Sequence, residues 1–155
     1  MNITLKMNIQ NEEFEINANL TNAAGRIYRQ QFTRDILKDM TDIYKRIHRS
    51  PFEGIDLSGI DFKDKTEQEI TEQILTKVDV TKVMENRMNL SALDFEETER
   101  CGQIIWAFVK NADKDTPNYE KWIDSYDFVL PVADIIEVLY EAWNMSAQPT
   151  IELKN

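Results

Sequence analysis

With 155 residues and 42% hydrophobic content, the chain has the size and apolar fraction for one domain around one core. Its net charge of −10 and pI near 4.6 exclude general affinity for phosphate backbones or anionic membranes, so neither nucleic acid nor a membrane is an expected partner. Cys101 is the only cysteine, which rules out an intrachain disulfide. No apolar run approaches a membrane span and MNITLKMNIQ lacks the apolar stretch of a signal peptide, so a soluble intracellular protein is the expectation.

In the first twenty residues, polar and apolar side chains alternate. Ile3, Leu5, Met7 and Ile9 share one face of a first strand, and Phe14, Ile16, Ala18 and Leu20 share one face of a second. A two-residue turn at Asn11-Glu12 would pair Ile9 with Phe14, Met7 with Ile16, Leu5 with Ala18 and Ile3 with Leu20, every apolar residue facing another. A four-residue loop is the alternative, because Glu is a poorer turn residue than Gly. A lone hairpin is marginal in water, so its apolar face must rest on helices or on another chain.

From Thr21-Asn22, either of which can cap, the period becomes helical, and Ile27, Tyr28 and Phe32 form a short face weakened by Gly25. The phase resets between Thr33 and Asp35, after which Ile36, Met40, Ile43, Tyr44 and Ile47 form a second stripe. Arg26, Arg29, Arg34, Lys38, Lys45, Arg46 and Arg49 decorate the other sides. Ser50 to Lys65, with Pro51, Gly54 and Gly59, reads as a loop. Its apolar residues Phe52, Ile55, Leu57, Ile60 and Phe62 are too many for a free linker, so it is expected to lie over the core. Thr66 to about Met88 is helical in one or two pieces, opened by a Thr66–Glu69 capping box and carrying Ile70, Ile74 and Leu75, then Val80, Val83, Met84 and Met88. Asn89 to Leu93 is a break.

Asp94 caps the next helix, which has Glu96 and Glu97 at its positive end and carries Phe95, Cys101, Ile104, Ile105, Phe108 and Val109 as far as Asn111-Ala112-Asp113. Cys101 to Trp143 holds eight of the 15 aromatics, all three tryptophans among them, and is the expected centre of the core. Within it, Thr116 as cap and Pro117 at the first helical position would open a short helix with Tyr119, Trp122, Ile123 and Tyr126 on one face. Val132, Ile135, Ile136, Leu139 and Trp143 then form the stripe of a last helix. The tail from residue 146 to 155 has no helical period and is expected to be loose. The fold class is α+β and mostly α-helical: an antiparallel hairpin packed on or beside a bundle of about five to six helices.

These residues offer no catalytic constellation. The lone histidine, His48, has no cysteine near it in sequence, and Cys101 sits among core residues, where a free cysteine acts as a small buried hydrophobe. One Cys and one His do not make a zinc site without carboxylates, and the cluster Glu96, Glu97 and Glu99 is explained by its place in a first helical turn. No calcium loop, phosphate-cradling loop or dinucleotide fingerprint occurs. No catalytic residue, cofactor or metal is expected, and the chain is read as one that works by contact. Residues 1–50 carry eight Lys/Arg against six Asp/Glu, a net of +2, whereas residues 51–155 carry 10 against 22, a net of −12. The acidic part keeps the protein soluble or steers a basic partner.

The hairpin ITLKMNIQNEEFEINANL, the segment RIYRQQFTRDIL, the helix CGQIIWAFVKNAD, then DTPNYEKWID and the acidic helix DIIEVLYEAWN occur in an order that resembles the tail assembly chaperones of long-tailed phages and prophages of Gram-positive hosts. The most specific part is similar to that family's W-A-x-x-K-x-A-D and P-x-[FY]-E-x-W signature, here Trp106, Ala107, Lys110, Ala112, Asp113, Pro117, Tyr119, Glu120 and Trp122. The resemblance implies a protein of the host bacterial cytoplasm, absent from the finished virion. Such a protein binds the tape measure protein, keeps it soluble and helps recruit tail tube subunits. It also implies homo-oligomers, which the hairpin's open edge allows, and a longer form made by ribosomal frameshift. Arg26, Tyr28, Arg29 and Phe32 on the N-terminal helices, with Phe52 and Phe62 in the loop, are the expected partner contacts. The alternative from another class is an acidic adaptor or inhibitor that binds a basic partner as a nucleic-acid mimic.

Overall fold

The computed structural model of the chain describes residues 1–48, 52–90 and 93–147. Its N-terminal alternation folds as an antiparallel pair, β1 (Asn2–Ile9) and β2 (Glu12–Asn19). The turn is Gln10-Asn11, with φ of 54° and 65°, not the Asn11-Glu12 turn expected from sequence. A two-residue turn that matches the strand twist needs positive φ at both central positions, which Asn11 tolerates, and Glu12 is left free to pair with Ile9. Met7 therefore faces Phe14, Leu5 faces Ile16 and Ile3 faces Ala18. Because partners shift by an even number of residues, every side chain keeps its face.

A chain reversal joins the hairpin to α1 (Asn22–Phe32). Thr21 stands at the N-cap with extended backbone, but its hydroxyl accepts from the Asn111 side chain at 2.8 Å instead of from the helix. The same Asn111 amide donates to the Asn19 carbonyl at 2.7 Å, so one residue late in the chain ties down the exit of β2. The phase reset after α1 is a left-handed C-cap at Thr33, φ 56°. Asp35 Oδ1 then accepts from the N–H groups of Leu37 and Lys38 and opens α2 (Ile36–Ile47).

The chain divides into two compact units, Met1–Lys45 with Asp94–Asn155, and Arg46–Leu93. In the first unit, α5 (Phe95–Ala112) is wrapped by β2, α1, α7 and α6, and Cys101, Gly102, Ile104, Ile105, Trp106, Ala107 and Phe108 are all buried. The Cys101–Phe108 stretch, apolar but for Gln103, needs such packing on several sides, whereas the first turns with Glu96, Thr98 and Glu99 stay exposed. Asp94 accepts from the Glu97 N–H while Glu97 reaches back to the Asp94 N–H, a complete capping box.

The short helix α6 (Tyr119–Asp124) is capped by Asn118, whose side chain accepts from the Lys121 N–H, and not by Thr116 as expected. Thr116 is buried and donates to the Asp113 carbonyl, while Pro117 supplies the carbonyl that accepts the Trp106 indole N–H at 2.8 Å. The Thr-Pro pair thus closes the preceding helix and anchors a tryptophan. The last helix, α7 (Val132–Ser146), buries Val132, Ile135, Ile136 and Leu139 and continues past Trp143, its expected end.

In the second unit, α3 (Glu67–Lys77) and α4 (Val80–Leu90) follow the loop. Thr66 caps α3 by accepting from the Glu69 N–H. The Gln73 side chain clasps the backbone of Asp61, accepting from its N–H at 2.8 Å and donating to its carbonyl at 2.9 Å. Helix α4 continues to Leu90, through part of the expected break. Arg49, the loop start at Ser50-Pro51, the side chain of Met88, residues 91–92 of the break and the tail from residue 148 lie outside the described residues. Among the described residues no helix is long and apolar enough to cross a membrane.

Candidate functional site

In the first unit, two arrangements of side chains go beyond packing. The first is a polar knot on α1 and α2. Tyr28, with no exposed surface, donates its hydroxyl to Asp39 Oδ2 at 2.6 Å, and Arg34 donates Nε to the same oxygen and a terminal nitrogen to Oδ1, at 2.6 and 2.8 Å. Asp39 is 2% exposed and lies on the apolar stripe of α2, between Ile36 and Ile43. Burial alone would push its carboxyl up. The hydrogen bonds from Arg34 and Tyr28 and the guanidinium charge outweigh that and hold the carboxyl below its ordinary value. The Tyr28 hydroxyl is pushed up by burial first and by Asp39 second. No buried side-chain polar atom here lacks a partner, and the knot ties α1 to α2.

The second arrangement is a cleft of about 490 Å³ over the first half of α5, closed by α6 and the 125–132 connection. Its floor exists because residue 102 is glycine: a Cβ there would lie 2.8 Å from the Tyr119 hydroxyl, so the ring rests directly on the α5 backbone. Burial, followed by the charges of Glu99 and Asp124, pushes the Tyr119 hydroxyl up to about 12. The ring belongs to a run of aromatic contacts. It goes from Tyr28 to Phe32 (5.3 Å), Tyr119 (5.9 Å), Trp122 (6.5 Å), Tyr126 (5.4 Å), Phe128 (5.4 Å) and Phe14 (4.4 Å), with Trp106 against Phe32 at 5.7 Å. That run stiffens the floor and ties it to α1 and β2. Lys110 holds the α5–α6 connection by donating to the carbonyls of Lys114 and Thr116, both at 2.6 Å. Phe95 and Val129 stand at the cleft 83% and 91% exposed, and the charged side chains that line it are Glu99, Glu120 and Asp124.

The contact residues chosen from sequence fall in separate places. Arg26 and Arg29 are exposed and line a shallow pocket of about 300 Å³ with Asp35, Leu37 and Trp143. Tyr28 and Phe32 belong to the aromatic run, Tyr28 being fully buried and Phe32 half-buried. In the second unit Phe52 joins Ile74, Leu75, Val83 and Met84 in an apolar groove of about 350 Å³, and Phe62 is 53% exposed. Cys101 is fully buried; burial and then the Glu97 charge push its thiol up to about 12, so it stays protonated at neutral pH.

Sequence reasoning missed the α5–α6 cleft, although a signal existed. The helical stripe through Phe95 runs over Thr98, Glu99 and Gly102, not over the apolar residues, which places Phe95 off the buried face. Asp39 carried a similar signal, since it stands three residues after Ile36 and four before Ile43.

Fold and surface together define an α+β, mostly helical protein with an aromatic-rich core and an apolar cleft edged by carboxylates. Comparison with protein-family models, with curated proteins and with solved structures yields no match.

Proposed function

We propose that this protein is a phage or prophage tail assembly chaperone, which binds the tape measure protein, keeps it soluble and helps recruit tail tube subunits without making or breaking covalent bonds. It works in the host bacterial cytoplasm and leaves before the virion is complete. The observation that carries the reading is the pairing of large apolar side chains left in water, Phe95 and Val129, with a pre-formed apolar cleft on a protein of net charge −10. Holding an amphipathic helix requires an apolar seat, and keeping the complex dispersed requires a charged exterior. The ordered resemblance from hairpin to DIIEVLYEAWN, with Trp106, Lys110, Asp113, Tyr119 and Trp122 in its signature, gives the client its name.

Co-expression with the tape measure gene tests the proposal. The soluble fraction of tape measure should rise several-fold, and the two proteins should co-purify. Unchanged tape measure solubility refutes it. The adaptor reading predicts instead a complex with a basic enzyme that dissolves steeply with added salt.

A further inference from the structure

Single exposed apolar side chains need no explanation, but Phe95 and Val129 are the two most exposed large ones among the described residues, and both line one cleft. Behind them lie Tyr119, Ile123, Phe128 and Leu130. The charged lining residues are all carboxylates, Glu99, Glu120 and Asp124; no Lys or Arg is among the lining residues. We infer that this cleft seats an amphipathic helix of another protein, with apolar side chains at i, i+3 or i+4, and i+7, and with Lys or Arg flanking that stripe. The kind of protein that brings the helix rests on the chaperone reading, whereas the chemistry of the seat rests on the cleft alone.

Three properties of the cleft select this occupant. The lining comes from helices and their connection and includes no residue of β1 or β2, so an incoming segment finds no strand edge there. It must satisfy its own backbone, which a helix does. A volume of about 490 Å³ lies in the lower part of the range of pockets that enclose whole small ligands, which suits a few side chains from one helix face. Finally, the rim selects a basic partner over a second copy. A two-fold contact through this face would set Glu99, Glu120 and Asp124 of one chain against the same residues of the next, between chains that each carry a charge of −10.

Titration of the full-length protein with two synthetic helical peptides tests the inference. Both carry the same leucine stripe, one flanked by Lys and the other by Glu, and binding is read by fluorescence anisotropy. The Lys-flanked peptide should bind at least about tenfold more tightly, and its affinity should fall as ionic strength rises from about 0.05 to about 0.5 M. The double variant Phe95→Ser/Val129→Ser, altered only at exposed positions, should keep its thermal stability and weaken that binding by about tenfold or more. Glu120→Lys should narrow or reverse the preference between the peptides. Equal affinity for the two peptides, or binding that survives the double variant, overturns the inference. So does a concentration-dependent dimer that the double variant abolishes. Co-expression of the double variant with tape measure separates the two readings. If wild type and variant solubilise it equally, the cleft is not the seat and the chaperone reading stands. If the Lys-flanked peptide binds through the cleft while wild type leaves tape measure insoluble, the seat stands and the chaperone reading falls.

Discussion

The two units stabilise themselves by different means. In the first, the Cys101–Phe108 stretch of α5 is packed between β2, α1 and α7, and tyrosine, methionine, isoleucine, leucine and phenylalanine side chains lose all contact with water. In the second, only Ile60 and Val78 among the described residues are buried, and α3 has no buried residue. Hydrogen bonds tie it internally: the Thr66 cap, the Gln73 clasp on Asp61, Lys77 Nζ donating to the Gly59 carbonyl at 3.1 Å, and the Asn86 amide donating to the Glu53 carbonyl at 3.1 Å. Exposed hydrogen bonds contribute little net free energy, whereas burial is the dominant favourable term. The contrast teaches that this chain concentrates its stability in one unit and that the other should open first.

The largest test removes a fully buried ring. Phe108 has no exposed surface and packs 5.8 Å from Trp143, so Phe108→Ala should cost about 4 kcal/mol in denaturant unfolding. Leu75→Ala, at a position 61% exposed in the second unit, should stay within about 0.5 kcal/mol. Similar losses at the two sites would break the comparison.

Next comes the buried knot. Arg34→Ala leaves the Asp39 charge without its main partner, at a cost of about 2 kcal/mol. The figure is set below that for a fully buried pair because 40% of the Arg34 side chain lies in water. Folded Asp39 titrates below its ordinary value of 3.8, so its contribution is complete above the usual carboxylate range and is lost as pH falls through 3.8 and below. Removing Arg34 raises the folded value, so the acid-unfolding midpoint followed by circular dichroism should move to higher pH. An unmoved midpoint would mean that the knot does not carry this linkage.

Smaller effects sharpen the picture. Asp94→Ala deletes one half of the α5 capping box and should cost about 1 kcal/mol in thermal unfolding. Smallest of all, Gln73→Ala should leave the global midpoint within about 0.5 kcal/mol while speeding amide exchange in α3 alone. Faster exchange throughout α5 after the same change would show the second unit to be more than locally held.

Much of this fold could be read before any coordinates. Alternation over the first twenty residues gave two strands and the correct faces, because parity survives an even shift of register. The turn itself was misplaced, since it depends on which residue accepts positive φ at Gln10 and Asn11, a choice that side-chain pattern does not encode. The Asp94 cap and the α7 stripe were legible because both are local. Thr116-Pro117 misled because Thr, Pro and Asn118 together offer two overlapping caps, and the choice falls to a long-range bond, the Trp106 indole on the Pro117 carbonyl. The sequence marked Phe95 and Asp39 as out of pattern but did not show what they join, for the same reason. Tyr28, Arg34 and Asp39 meet only when α1 folds back on α2, and Gly102 matters only once Tyr119 lies on it.

The central claim is that this protein shelters another chain's apolar helices, and light scattering tests it most directly. Purified tape measure protein is diluted from denaturant with or without an equimolar amount of this protein. The account predicts that scattering is suppressed and that the two proteins then elute as one soluble complex. Aggregation at an unchanged rate, with this protein eluting alone, would contradict it.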